Sequence, residues 1–138
     1  MKNILVLEDQ RSVMRHMRLI LKQYTLIEAP TAQEALFCSI DVEFRIDLLV
    51  ADLTLPISSG IAVARTLRSK IPALPVILTS RHPVSNWSKQ DSRDLEQLGS
   101  RSVQVVQKPF EAESLLCAVR ESLGESPVLS VEDCAIRV

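Results

Sequence analysis

Apolar positions in this chain follow two rhythms. Five short segments are rich in aliphatic residues: 3–7 (NILVL), 25–29 (TLIEA), 46–51 (IDLLVA), 74–79 (LPVILT) and 102–106 (SVQVV). Three of them run almost without polar alternation. That pattern fits strands buried on both faces, as in a parallel sheet covered by helices. Between them the spacing turns helical. In 10–23, Val13, Met17, Ile20 and Leu21 form one stripe, and Arg11, Arg15, Arg18 and Lys22 form the opposite one. Segment 31–40 opens with Thr31, and Glu34 follows three residues later, a capping-box signature. Segment 59–70 carries Ile61, Ala64, Leu67 and Arg68. Segment 87–98 is polar and closes at Gly99. Segment 111–123 carries Leu115, Leu116, Val119 and Leu123 and stops at Gly124. Strand then helix, five times over, predicts right-handed crossovers and a doubly wound parallel sheet between two helical layers.

Length and composition narrow the class. A chain of 138 residues, 46% hydrophobic and 24% charged, suits one globular domain with its own core. A net charge of −1 gives no reason to expect direct nucleic-acid or membrane-surface binding. No apolar run approaches a membrane span of about 20 residues. The opening MKNILVLED meets an acidic pair at once and is no secretory signal. Cys38, Cys117 and Cys134 are odd in number and widely spaced, and no histidine stands at ligand spacing. They read as packing or tail residues in a reducing cytoplasm. Residues 124–138 fall outside the alternation. They are expected to be a tail, or a linker to an effector domain.

Chemistry-bearing residues gather at the C-terminal ends of the expected strands. The first ends in Glu8-Asp9, the third in Asp52 and the fourth in Thr79-Ser80; the fifth is followed by Lys108-Pro109. Ligands of open α/β sheets bind beyond these ends, and adjacent strands lie about 4.8 Å apart, so the ends can share one site. Three carboxylates at close quarters repel one another unless one takes a proton or a cation joins them. A hard divalent ion with oxygen ligands resolves the repulsion, and Mg²⁺ suits a site with few carboxylates and open water positions. A phosphoryl group is the natural further guest. Lys108 would offer it a point charge and Thr79 a hydroxyl donor, while Asp52 is placed to attack phosphorus.

Taken together, Glu8-Asp9, Asp52 with Pro56 and Gly60 after it, Thr79, and Lys108-Pro109-Phe110 resemble the receiver domain of bacterial two-component response regulators. The resemblance covers residues 1 to about 123. It implies a flavodoxin-like sheet in the order 2-1-3-4-5. It implies that Asp52 accepts a phosphoryl group from a phosphohistidine on a sensor histidine kinase or histidine phosphotransfer domain. Mg²⁺ would be held by the side chains of Asp9 and Asp52, by the backbone carbonyl of Thr54, and by Glu8 mainly through water. Thr79 and Lys108 would contact the phosphoryl group, and the Lys108-Pro109 bond would be cis. The domain would assist its own phosphorylation and dephosphorylation without being a conventional enzyme. The fourth-helix face would serve output or homodimerisation.

Each residue alone has a plainer reading. An acidic pair after a strand often caps a helix. Asp52 could be a turn residue, Lys108 a solvated lysine, and the basic stripe a solvated helix face or a docking face for the phosphodonor. His16 and His82 read as surface residues, and Trp87 as partly exposed. Two features depart from the family pattern. Val105 stands three residues before the lysine, where many receivers carry Tyr or Phe, and its χ1 is stiff. The interval from Thr79 to Lys108 is also long, which would lengthen a loop or the fourth helix. Arg81 and Thr54 sit where the family tunes phosphoryl lifetime. Both departures keep a constitutive interaction module with the same fold as an alternative, beside the N-terminal receiver of a longer transcription factor or cyclase. An aspartate-nucleophile phosphatase would want a second Asp where Thr54 stands. A flavin module would want a hydroxyl- and glycine-rich loop in place of EDQRSVM.

Overall fold

The aliphatic runs become strands, and the three central ones are covered on both faces. The computed structural model describes residues 1–40, 45–56, 58–99 and 102–125. Along the chain come β1 (Asn3–Leu7), α1 (Arg11–Ile20), β2 (Thr25–Ala29), α2 (Ala32–Ile40), β3 (Leu48–Asp52), α3 (Gly60–Lys70), β4 (Val76–Ser80), α4 (Lys89–Leu98), β5 (Val103–Gln107) and α5 (Ala112–Ser122). The five strands are all parallel, in the order β2-β1-β3-β4-β5. This is the doubly wound, three-layer architecture and the strand order expected above.

Strand alternation divides the core in two. Leu5, Leu7, Leu49, Ala51, Val76 and Leu78 point to one face, where Ala35, Ile61, Ala64, Leu67 and Leu98 of α2, α3 and α4 cover them. Ile4, Val6, Leu48, Val50 and Ile77 point to the other, against Met14 and Met17 of α1 and Leu115 and Ala118 of α5. All five residues of β3 and of β4 are buried. Neither strand therefore shows the polar alternation of a sheet with one wet face.

The helix ends follow local chemistry. Thr31 Oγ1 accepts the Glu34 N–H at 3.1 Å, as the capping signature predicts. Ser59 and Ser88 cap α3 and α4 by accepting from the N–H groups of Ala62 and Asp91. Trp87 therefore precedes α4 and does not open it. The segment between β4 and α4 contains a 3₁₀ turn, Val84–Asn86, so the long interval after Thr79 is taken up partly as an ordered loop. At the far end of α4, Gly99 (φ 90°) lets its N–H reach the carbonyls of Leu95 and Glu96. Arg68 ties this corner together, donating to the carbonyls of Leu74 (3.0 Å), Leu98 (2.8 Å) and Ser102 (3.2 Å).

One cysteine departs from the packing role expected of it. Cys117 is buried as expected, but it is disulfide-bonded. Cys134 and the greater part of the expected tail, residues 126–138, lie outside the described residues. Among those described, no helix is long and apolar enough to cross a membrane.

Candidate functional site

The strand order reverses direction between β1 and β3, and a crevice opens there at the carboxyl ends. Register decides which residues meet in it. Leu7 pairs with Ala51, so Glu8-Asp9 and Asp52 leave the sheet side by side. Asp52 pairs with Thr79, and Ser80 pairs with Gln107, the residue before Lys108. The Lys108 N–H donates to the Ser80 carbonyl at 2.7 Å, and the Leu53 N–H donates to that of Thr79 at 2.8 Å. The Lys108-Pro109 bond is cis.

These constraints bring carboxylate oxygens of Glu8, Asp9 and Asp52 within 4.8 Å of one another. Glu8 and Asp52 are buried, and Asp9 is exposed. One ammonium faces them. Lys108 Nζ lies 2.6 Å from Glu8 Oε1 and 3.1 Å from Asp52 Oδ2, and the three side chains are only 7%, 0% and 11% exposed. Each carboxylate also accepts a backbone N–H: Glu8 Oε2 from Gln10 at 3.1 Å, and Asp52 Oδ1 from Thr54 at 3.2 Å. Burial pushes the Glu8 carboxyl above its ordinary value of 4.5, although the hydrogen bonds from Lys108 and Gln10 pull the other way. The cluster holds three carboxylates against one ammonium. It is therefore a group of oxygen donors short of positive charge, and could hold a metal ion.

Thr79 supplies a second sign of a missing guest. Its hydroxyl is the one buried side-chain polar atom without a partner among the described residues. A buried hydroxyl left unpaired costs about 1–3 kcal/mol. This one sits on the strand beside Asp52, aligned with it in register. An anionic oxygen on Asp52 would be a natural acceptor for it.

A cleft of about 380 Å³, lined by Asp9, Gln10, Asp52, Thr54, Leu55, Pro56, Arg81 and His82, gives access to the carboxylates. Gly60 packs against the end of the strand that carries Asp52. A Cβ there would stand 2.3 Å from the Asp52 carbonyl oxygen, so the first turn of α3 can pass under β3 only without a side chain.

The sequence-predicted residues thus converge on one crevice. Glu8 contacts Lys108 directly, so the lysine is already engaged by a carboxylate. The Thr54 N–H is turned onto Asp52, which leaves its carbonyl free of that contact. On α1, Arg18 is committed to Glu28 of β2 through two contacts of 2.7 Å. Arg11 and Arg15 line a groove with Glu8 and Asp9. His16 is exposed as expected, but its ring stacks on Phe110, with centroids 5.6 Å apart and planes 8° from parallel. Nothing in the sequence signals that pair, one member on α1 and the other in the loop between β5 and α5.

Comparison with known proteins agrees with this geometry. The family model described as "Response regulator receiver domain" matches residues 4–120. The chain is 37% identical over 126 residues to the "Two-component response regulator PhoP" of Pseudomonas aeruginosa, covering 89% of this chain and 52% of that protein. It is 30% identical over 144 residues to the "Transcriptional regulatory protein KdpE" of Mycobacterium tuberculosis, covering 96% of this chain and 59% of that one. The chain therefore spans little more than half the length of these curated relatives. Among solved structures, a CheY-like response regulator receiver domain protein from Methanospirillum hungatei superimposes with a TM-score of 0.76 at 25% identity, covering 90% of this chain and 94% of the other. The signal receiver domain of an HD domain-containing protein from Pseudomonas fluorescens gives 0.77 at 22% identity, covering 89% and 94%.

Proposed function

Since this chain belongs to the response regulator receiver family, the regulatory domain of two-component signalling, we propose that its switch is phosphorylation of Asp52. The donor is a phosphohistidine on a sensor kinase or phosphotransfer domain. A carboxylate oxygen of Asp52 forms the new P–O bond, and the P–N bond to the donor imidazole breaks with its electron pair staying on nitrogen. Hydrolysis reverses the modification. Water attacks phosphorus, and Asp52 leaves as a carboxylate.

The observation that carries this reading is the pairing of a cation-poor carboxylate cluster with an orphaned hydroxyl on the neighbouring strand. Asp9, Asp52 and the Thr54 carbonyl would hold Mg²⁺, with Glu8 acting through water. Bound there, the ion would neutralise charge on the transferring oxygens. Lys108 lies between Glu8 and Asp52, and would take one phosphoryl oxygen as charge builds beside it. Thr79 would donate to another. Arg11 and Arg15, flanking the groove by Glu8 and Asp9, would guide the anionic donor. On this reading the domain works in the cytoplasm beside its phosphodonor. It acts by shifting between two surface states, with no turnover of a small-molecule substrate.

The test is intact mass after incubation with Mg²⁺ and a small acyl phosphate. The native chain should gain one phosphoryl group. Asp52→Asn, or the native chain with a chelator, should gain none. A folded native chain that binds Mg²⁺ and stays unmodified would count against the reading.

Thr79→Val separates chemistry from stability. The substitution removes a hydroxyl that bonds to nothing in the fold and keeps the β-branched shape. Stability should hold or rise by about 1 kcal/mol. Phosphoryl uptake should slow by roughly 100-fold, the typical loss when a donor to a developing anion is removed. Urea unfolding beside single-turnover mass kinetics checks both. A destabilised variant with unchanged kinetics would contradict the assignment.

A further inference from the structure

Cys117 is disulfide-bonded, and its place on α5 limits where the bond can reach. Leu115, Ala118 and Val119 of the same helix point into the core. Cys117 is only 6% exposed, yet among the described residues it belongs to neither core cluster. It shares a stripe with Glu113 and Glu121, four residues to either side, and both of those are exposed. Glu121 Oε1 lies 3.5 Å from its sulfur. The sulfur therefore sits on the outer side of the helix and is covered from outside.

The sequence offers two other cysteines, and position decides between them. Cys38 lies on α2 and packs against the cluster of Leu5, Leu49 and Leu78, on the opposite face of the sheet from α5. Bonded cysteines need Cα atoms within about 7 Å, and here the sheet stands between the two helices. Cys134 remains. It lies outside the described residues, nine positions beyond Glu125. Glu125 is a fixed starting point. Its N–H donates to the Arg120 carbonyl at 2.9 Å, the Gly124 N–H donates to that of Glu121 at 3.1 Å, and Gly124 takes φ 71°. This helix end turns the chain off the α5 axis. The Tyr24 hydroxyl then holds the Glu125 carboxylate at 2.6 Å. Counted back along the helix at about 1.5 Å per residue, Cys117 is about 12 Å away. Nine extended residues span up to about 30 Å, so the reach is ample. A chain that makes the connection runs back along the outer stripe of α5.

We propose that Cys117 and Cys134 form a reversible redox latch that holds segment 126–134 against the outer stripe of α5. In a cytoplasm that keeps thiols reduced, such a bond is a regulated state and not a permanent staple. Closure is exchange with a small-molecule disulfide. One cysteine thiolate attacks a sulfur of the oxidant and expels a thiolate. The second cysteine thiolate attacks the mixed disulfide and expels the other. The two protein thiols give up two protons and two electrons, and the oxidant becomes two thiols. None of the latch residues lines the Asp52 cleft, so the inference stands apart from phosphorylation there. Closed, the latch hides the stripe from Glu113 to Glu121 from any partner; open, it presents that stripe.

The native chain, Cys134→Ser and Cys38→Ser would each be equilibrated in glutathione buffers stepped from reduced to oxidised, then alkylated in denaturant and weighed intact. Peptide mapping locates the bond, and hydrogen exchange follows the amides of 126–133. The proposal expects the native chain and Cys38→Ser to lose two hydrogens in oxidising buffer through a 117–134 link, and to regain them in reduced buffer. With three cysteines, the native chain should take one alkyl group when oxidised and three when reduced. Cys134→Ser should form no internal link. Exchange at 126–133 should slow by about tenfold or more on closure and stay fast in Cys134→Ser. A link that persists in fully reduced glutathione overturns the switch. A 38–117 link, a disulfide between two chains, or no link at all overturns the pairing. A 117–134 link with unslowed exchange overturns the covering of α5.

Discussion

Gly60→Ala is expected to lose about 2 kcal/mol of stability and most of its phosphoryl uptake. Two effects oppose each other. Alanine is the better helix former by about 1 kcal/mol, and Gly60 opens α3 with no positive φ to protect. Against this, the new methyl would lie 2.3 Å from the Asp52 carbonyl oxygen and 3.1 Å from Ala51 Cβ. A clash with backbone cannot be relieved by a rotamer change, so its cost sits at the upper end of the 1–3 kcal/mol typical of overpacking. The clash wins. Its relief must move either α3 or the end of β3, and the end of β3 carries Asp52. Stability and chemistry should therefore fall together, as urea unfolding and mass-detected phosphorylation would show. A variant more stable than the parent would mean that the helix passes β3 less closely than described.

Lys108→Met is expected to cost about 3–5 kcal/mol at neutral pH, the penalty for leaving a buried charge without its partner. Methionine keeps much of the lysine's length, so the loss is of charge more than of volume. Glu8 suffers most, because its side chain is fully buried and Lys108 is its one cationic contact among the described residues. The penalty should depend on pH, with a definite sign. Burial already raises the Glu8 carboxyl above 4.5, so the fold holds its proton more tightly than the unfolded chain does. The stability this gives is fully present below 4.5 and is lost as pH rises through the folded value. Removing the ammonium raises that value further. The gap between variant and parent should be small near pH 4.5 and widen towards neutrality. Denaturant unfolding across that range checks it. A gap independent of pH would show that lost packing, and not the carboxylate, sets the cost.

Most of the architecture was legible because burial on both faces leaves no choice of period. Leu48, Leu49 and Val50 read as a strand of a covered sheet whichever face each one takes. The site was legible for a related reason. Its residues follow the strands directly, so the order and register of the sheet bring them together. What escaped the sequence depends on side chains meeting across the fold. From its place after the fifth strand, Lys108 reads as a contact for a phosphoryl group. Its existing partner, Glu8, lies 100 residues away and is reached only when β1, β3 and β5 end at one level. Gly60 is part of the family pattern in the sequence, but its reason, the Asp52 carbonyl beneath it, is a matter of helix–strand packing. The polar run suggests a start of α4 at Trp87, although Ser88 with Asp91 three residues on is a cap signal in the sequence itself. That two-residue difference matters, since it leaves the indole in the loop, where its N–H holds the His82 carbonyl.

The most direct test of the central claim is to locate the modified residue. After phosphorylation by acyl phosphate with Mg²⁺, borohydride reduces an aspartyl phosphate to homoserine, and peptide mapping then finds the converted position. The arrangement of Glu8, Asp9, Thr79 and Lys108 around one carboxylate predicts conversion at residue 52 alone. Conversion at Asp9 or another carboxylate, or phosphoryl uptake with residue 52 unchanged, would contradict the account.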